Sequence, residues 1–325
     1  MNEAIASALK NWLPYRLLPQ ADDELFCKWF YLGDEMIKEP FFNDTILRCR
    51  SLPYNSTLKS SISSVSLLQD WSEQLKTALP AAFIFHVSRC GSTLLSQLLS
   101  VQKENIVLSE VPFFDELLRK GFAANTMNEI LPAVKASVAM YSAQRNEYQQ
   151  HVFIKTDSWH IHFYKELRLL YPDVPFVFLY RKPDEVIRSH QKKRGMQAVP
   201  GVIEPALFGF DLNEILSINL DEYMARVLET YLQKFLEILE TDSNCIAINY
   251  NEGAMTMMHR IAAFINIPIN AEDEAAMLER AGFHAKYPGE KFYEPAVEDE
   301  PPLYLQKAFE LYHQLEQVKN FQQTN

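Results

Sequence analysis

From Leu79 onward, short apolar runs alternate with stretches of helical periodicity. Ala82–Val87 (AFIFHV) reads as a buried strand, and Ser92–Leu99 behind it places Leu94, Leu95, Leu98 and Leu99 on one helical face. Val152–Ile154, Val177–Tyr180 and Ile246–Tyr250 read as further strands, with Ile106–Leu108 as a shorter one. Helical patterns fall between and after them, over Asn128–Tyr148, Ser158–Tyr171, Pro183–Lys193, Asn213–Glu240, Ala254–Ile265, Ala271–Ala281 and Pro302–Val318. Pro112 suits the first turn of another helix. Strands separated by helices imply right-handed crossovers and a mostly parallel sheet, hence an α/β fold.

Residues 1–78 have a different texture. Pro14, Pro19, Pro40 and Pro53 punctuate them, a Ser-rich stretch covers Ser60–Ser66, and Val65–Ala78 carries Leu67, Leu68, Trp71 and Leu75 at amphipathic spacing. This part reads as an N-terminal extension packing on an α/β domain of residues 79–325. Residues Arg194–Leu212 break the periodicity with Gly195, Pro200, Gly201, Pro205 and Gly209.

The chain has 325 residues, of which 48% are apolar and 22% charged, enough to build a sizeable core. Its 31 Lys and Arg stand against 42 Asp and Glu, a formal net charge of −11. Non-specific nucleic-acid binding needs a basic surface to displace counterions, so no nucleic-acid partner is expected. The richest apolar run, Ala81–Val87, is far shorter than the ~20 residues of a bilayer-crossing helix, so no membrane span is expected. Glu3, Asp22, Asp23 and Glu24 do not suit a signal peptide. Cys27, Cys49, Cys90 and Cys245 are scattered without metal-ligand spacing, which suits free thiols and a cytoplasmic location.

The most informative segment is Val87-Ser88-Arg89-Cys90-Gly91-Ser92-Thr93-Leu94, between the first strand and its helix. A helix N-terminus presents unpaired N–H groups and partial positive charge to an anion. Gly91 permits close backbone approach, Ser92 and Thr93 add hydroxyls, and Arg89 adds a planar charged fork. These parts suit a phosphate or sulfate cradle; the alternative is a tight turn with Ser as N-cap and no ligand. No Lys precedes Ser92, so the segment departs from the Walker A pattern. Cys90 lacks the downstream Arg of a cysteine phosphatase loop and reads as a small loop residue. His86, inside the first strand, reads as a satisfied core histidine, and His160 and His162 fit a metal site poorly.

A second segment, Arg181-Lys182-Pro183-Asp184-Glu185-Val186-Ile187-Arg188-Ser189, follows the Val177–Tyr180 strand. Arg181 thus sits at a strand C-terminus, the edge where open α/β sheets bind ligands, and Ser189 lies in the next helix. With both segments in view, the chain resembles the sulfotransferases that use 3′-phosphoadenosine-5′-phosphosulfate (PAPS). Arg89-Cys90-Gly91-Ser92-Thr93-Leu94 is similar to their R-S-G-T-T-L motif for the 5′-phosphosulfate. Arg181 to Ser189 is similar to their R-D-P-R-D-x-x-x-S motif for the 3′-phosphate. Cys90 stands for Ser, Ser92 for Thr and Lys182 for Asp. The likeness runs from about Ala82 to Tyr250, more faintly to Lys286.

The resemblance implies a P-loop NTPase-like three-layer fold and an enzyme that moves a sulfuryl group from PAPS to a hydroxyl-bearing acceptor, in line and without a metal. It implies Arg89, Cys90, Gly91, Ser92, Thr93, Arg181, Ser189, Tyr250 and Lys286 as donor-binding residues. Glu110 matches the base of the tyrosyl-protein branch, Arg89 would stabilise the leaving oxygens, and Lys155, in a K-T sequence like the family's K-T-P, would stabilise the transferring group. Glu110 could equally be a dipole-favoured residue ahead of a helix, and Lys155 a solvated strand end. Tyr250-Asn251-Glu252 resembles the family's Y-E dipeptide with one residue inserted. The region from 194 to 240 would shape the acceptor site. A nucleotide-dependent kinase and a non-catalytic sulfonucleotide-binding protein are the alternatives, and acceptor identity and oligomeric state stay open.

Overall fold

Trp12–Leu18 (β1) and Phe26–Tyr31 (β2) form an antiparallel pair absent from the sequence expectations. In the computed structural model, which describes residues 7–18, 24–56, 60–283 and 300–324, Ile62–Ser64 (β3) adds to β2 in the order β1-β2-β3. The register shifts between Pro14 and Arg16, where a proline has no ladder donor to offer. Leu79–His86 (β4), Asn105–Ser109 (β5), His151–Lys155 (β6), Phe176–Tyr180 (β7) and Cys245–Asn249 (β8) make a second sheet in the order β5-β6-β4-β7-β8. The pairs β5–β6, β4–β7 and β7–β8 are parallel. Every residue of β5, β7 and β8 is buried, as expected of parallel strands covered on both faces. The α/β class expected from the alternating pattern is therefore the one observed.

The chain separates into two compact units: residues 1–81, 99–155 and 166–172 in one, and 82–98, 156–165 and 173–325 in the other. In the first, polar contacts anchor β1. The Tyr141 hydroxyl donates to the Pro14 carbonyl at 2.5 Å, and the Leu17 N–H donates to Glu116 at 2.5 Å. The Tyr141 ring packs edge-on against Phe42 and Phe114. The helix expected over Asn128–Tyr148 is Met127–Tyr141. Beyond it the Gln149 side chain accepts the Arg145 N–H at 2.8 Å, and Asn146 accepts from Tyr148 and Gln149 at 3.1 Å each, a local turn that competes with the helical ladder.

In the second unit the helix expected over Asn213–Glu240 divides into Leu212–Leu216 and Leu220–Leu239. Asn219 is extended and its side chain accepts the Asp221 and Glu222 N–H groups at 3.0 Å, so it starts a new helix. The Gln306–Thr324 helix covers edge strand β8: Gln322 accepts from the Ala247 N–H and donates to the Cys245 carbonyl, both at 3.0 Å. Nearer the start of that helix, Glu316 accepts from Tyr180 (2.5 Å), Lys319 (2.7 Å) and Asn249 (2.8 Å). Burial pushes the Glu316 carboxyl upward, but the donors outweigh it and hold the pKa below its ordinary value.

A depressed folded-state pKa stabilises the fold above the unfolded carboxyl pKa, and that stability is lost as pH falls through the depressed value. Glu316→Gln should therefore destabilise the protein by about 1–3 kcal/mol at pH 7, with a smaller difference from wild type near pH 3. Urea unfolding at both pH values checks this; equal stabilities at pH 7 would remove Glu316 from the account.

Candidate active site

In the second unit, β4, β7 and β8 end side by side, with His86 opposite Leu179 and Tyr180 opposite Asn249. The loops that follow them carry Arg89, Arg181 and Tyr250. Ser88 (φ 64°), Arg89 (φ 50°) and Gly91 (φ 80°) are all left-handed. For L-residues that conformation costs roughly 1–2 kcal/mol each, so something must hold it. His86 is part of the answer. Its Nδ1 accepts the Ser88 N–H at 3.0 Å, which leaves the proton on Nε2 to donate to the Thr156 carbonyl at 3.0 Å. The core histidine is thus a brace for the loop. Cys90 is wholly buried and donates to the Leu179 carbonyl at 3.4 Å, a small loop residue as its surroundings in sequence suggested. Ser92 and Thr93 open the Ser92–Leu99 helix, whose first N–H groups lack helical partners.

The Arg181 and Arg89 loops meet. Arg181 Nη1 donates to the Arg89 carbonyl at 3.5 Å, its Nε donates to Glu185 Oε2 at 2.6 Å, and its guanidinium lies 4.7 Å from the centre of the Tyr250 ring. That ring fills the space beside Gly91, where a Cβ would stand 2.0 Å from Tyr250 Cδ2. Tyr250 opens the 3-10 turn Tyr250–Glu252, fixed by a reciprocal cap between Asn249 and Glu252. Arg89 Nη2 donates to the Lys193 carbonyl, tying the loop to the end of the Pro183–Lys192 helix. Ser189 lies half-buried in that helix. Lys182 pairs with Asp184 at 3.8 Å and lies 6.0 Å from the Phe309 ring, while Arg194 binds Asp221 at 2.5 Å. Lys286 lies outside the described residues.

In the first unit, β5 and β6 end together, Ser109 opposite Lys155. The Glu110 N–H donates to the Lys155 carbonyl at 2.8 Å, and the Lys155 ammonium donates to Glu110 Oε1. Lys155 is 1% exposed and its ammonium also lies 5.1 Å from the Phe41 ring, so it is not a solvated strand end. A buried ammonium requires such a partner. Glu110 has a φ of 52°. Among the described residues, five other than glycine have positive φ; Asn125 and Asn266 are helix C-caps, and the other three are Ser88, Arg89 and Glu110.

No protein-family model matches the sequence, and no curated protein matches it. The fold is matched. The sulfotransferase domain from the curacin biosynthetic pathway is similar at a TM-score of 0.50 and 17% identity, over 74% of this chain and 99% of that one. This chain has a sulfotransferase fold. Sulfotransferase STF9 from Mycobacterium avium aligns over 80% of each chain, at 15% identity and a TM-score of 0.47.

Within the sulfotransferase fold, three residues near the strand ends escaped the sequence reading. Glu185 accepts from Arg181 and from Asn251, and His86 braces the loop. The four-residue separation of Arg181 and Glu185 was the one available signal, with Arg181 ahead of the Pro183–Lys192 helix and Glu185 in its first turn. Of the other histidines, His160 lies 3.8 Å from Asp157. His162 packs against Phe208 and Tyr231, and burial, with help from nearby Lys234, lowers its pKa to about 4. It is a neutral packing residue at physiological pH.

Proposed function

We propose that this protein is a PAPS-dependent sulfotransferase acting on a hydroxyl-bearing acceptor. The observation that carries the proposal is the loop 88–91, left-handed at Ser88, Arg89 and Gly91, whose Arg89 carbonyl accepts from the Arg181 guanidinium. Successive backbone N–H groups in a turn of this kind form an anion-binding hollow. The residues suit a ligand with two anionic ends: N–H groups, two hydroxyls and Arg89 for the 5′ end, Arg181 with Ser189 for the 3′-phosphate. Bound PAPS would supply an activated sulfuryl group on a good phosphate leaving group. Arg89 would neutralise charge on that leaving phosphate, replacing a metal ion. Glu110 would take the acceptor's hydroxyl proton as the acceptor oxygen bonds to sulfur. Lys155, whose ammonium donates to Glu110, would hold that carboxylate in place. The region from 194 to 240 would select the acceptor.

Adenosine 3′,5′-bisphosphate, the product nucleotide, should raise the melting temperature without Mg²⁺, since a ligand at 100 times its Kd stabilises by about 2.7 kcal/mol. ATP should do little. Arg181→Ala should weaken bisphosphate binding at least tenfold, on the order of a charged hydrogen bond. Strong stabilisation by ATP with Mg²⁺ and none by the bisphosphate would hand the site to the kinase reading.

A further inference from the structure

The residue inserted after Tyr250 has a place in the second anion site. Asn251 Nδ2 spans the Glu185 carboxylate, 3.3 Å from Oε1 and 3.2 Å from Oε2. The same carboxylate receives Arg181 Nε at 2.6 Å. A guanidinium is a rigid plane, so gripping Nε in that plane sets the direction of its other donors, and Tyr250 on its face sets the tilt. Glu185 itself stands in the first turn of the Pro183–Lys192 helix and would rotate about its side-chain bonds without a second hold. Asn251 supplies that hold from another strand end: its own N–H is fixed to Asn249 Oδ1 at 3.0 Å, and the Asn249 amide is fixed to Glu316 and Tyr312. A chain of polar contacts thus runs from the Gln306–Thr324 helix through Asn249, Asn251 and Glu185 to Arg181.

We infer that Asn251 is a positioning residue for Arg181 and thereby for recognition of a ribose 3′-phosphate. The inference rests on the donor-nucleotide reading above. Asn251 is exposed, so its removal leaves the core intact. An aspartate there would set a carboxylate against Glu185 and push it off Arg181.

The test compares adenosine 3′,5′-bisphosphate with adenosine 5′-monophosphate, which lacks the 3′-phosphate, by calorimetry on wild type, Asn251→Ala and Asn251→Asp. Asn251→Ala should weaken the bisphosphate about five- to tenfold and Asn251→Asp further, with affinity for the monophosphate unchanged. Melting temperatures without ligand should stay within about 2 °C of wild type, as for surface substitutions. Equal bisphosphate affinity in wild type and Asn251→Ala overturns the inference while leaving the donor reading standing. Parallel loss of both nucleotides also overturns it, because a general loss at the loop is not 3′-phosphate recognition. A wild type that does not prefer the bisphosphate to the monophosphate overturns the donor reading itself.

Discussion

Glu110→Gln is expected to lower sulfuryl transfer by about 10²- to 10⁴-fold, the usual contribution of a positioned base, while adenosine 3′,5′-bisphosphate still stabilises the protein. Glutamine is the right replacement because Lys155 is buried and its ammonium donates to Glu110. Removing the acceptor altogether would strand a buried charge at a cost of about 3–5 kcal/mol and confuse folding with chemistry. The amide oxygen of glutamine still accepts from that ammonium but has no useful proton affinity. Steady-state transfer and ligand-induced melting shifts, measured on the same preparation, separate the two effects. Wild-type turnover would exclude Glu110 as the base, and a lost melting shift would show that the substitution had disturbed nucleotide binding.

The second large effect is expected at Gly91. Alanine there would be held at φ 80° and would drive its Cβ to within 2.0 Å of the Tyr250 ring, so either the loop or the ring must move. Gly201 provides the control: its φ is 81°, and a Cβ added there would meet nothing within 4 Å. Gly201→Ala isolates the backbone penalty, about 1–2 kcal/mol. Gly91→Ala should lose more, roughly 2–4 kcal/mol in all, and should also lose the melting shift with adenosine 3′,5′-bisphosphate, because Tyr250 backs both Gly91 and Arg181. Similar losses in the two variants, with the nucleotide response intact in both, would show that Tyr250 does not depend on the missing side chain.

These expectations rest on features of differing legibility. The strand–helix alternation was readable because buried parallel strands are short continuous apolar runs, and because helices such as Ala254–Ile265 and Ala271–Ala281 are long enough for their period to show. The β1-β2-β3 sheet was not. Its strands mix buried, half-buried and exposed positions without clean alternation, β1 contains Pro14, and β3 has three residues, none of them buried. The capping of Asn219 was written in its residue type, but periodicity continued across it and hid the break.

The same division holds at the candidate site. Glycine, hydroxyl and arginine in the first loop, and arginine leading the second segment, are local patterns, so the two anion-binding segments could be named from the chain alone. The burial of Lys155, its partnership with Glu110 and the hold of Asn251 on Glu185 join residues 45 and 66 positions apart. Residue type and spacing announce which groups can bind an anion, because those properties belong to the group and its immediate backbone. Which carboxylate steadies which cation depends on strand register and on loops from distant parts of the chain arriving at one edge, and only the folded structure determines that.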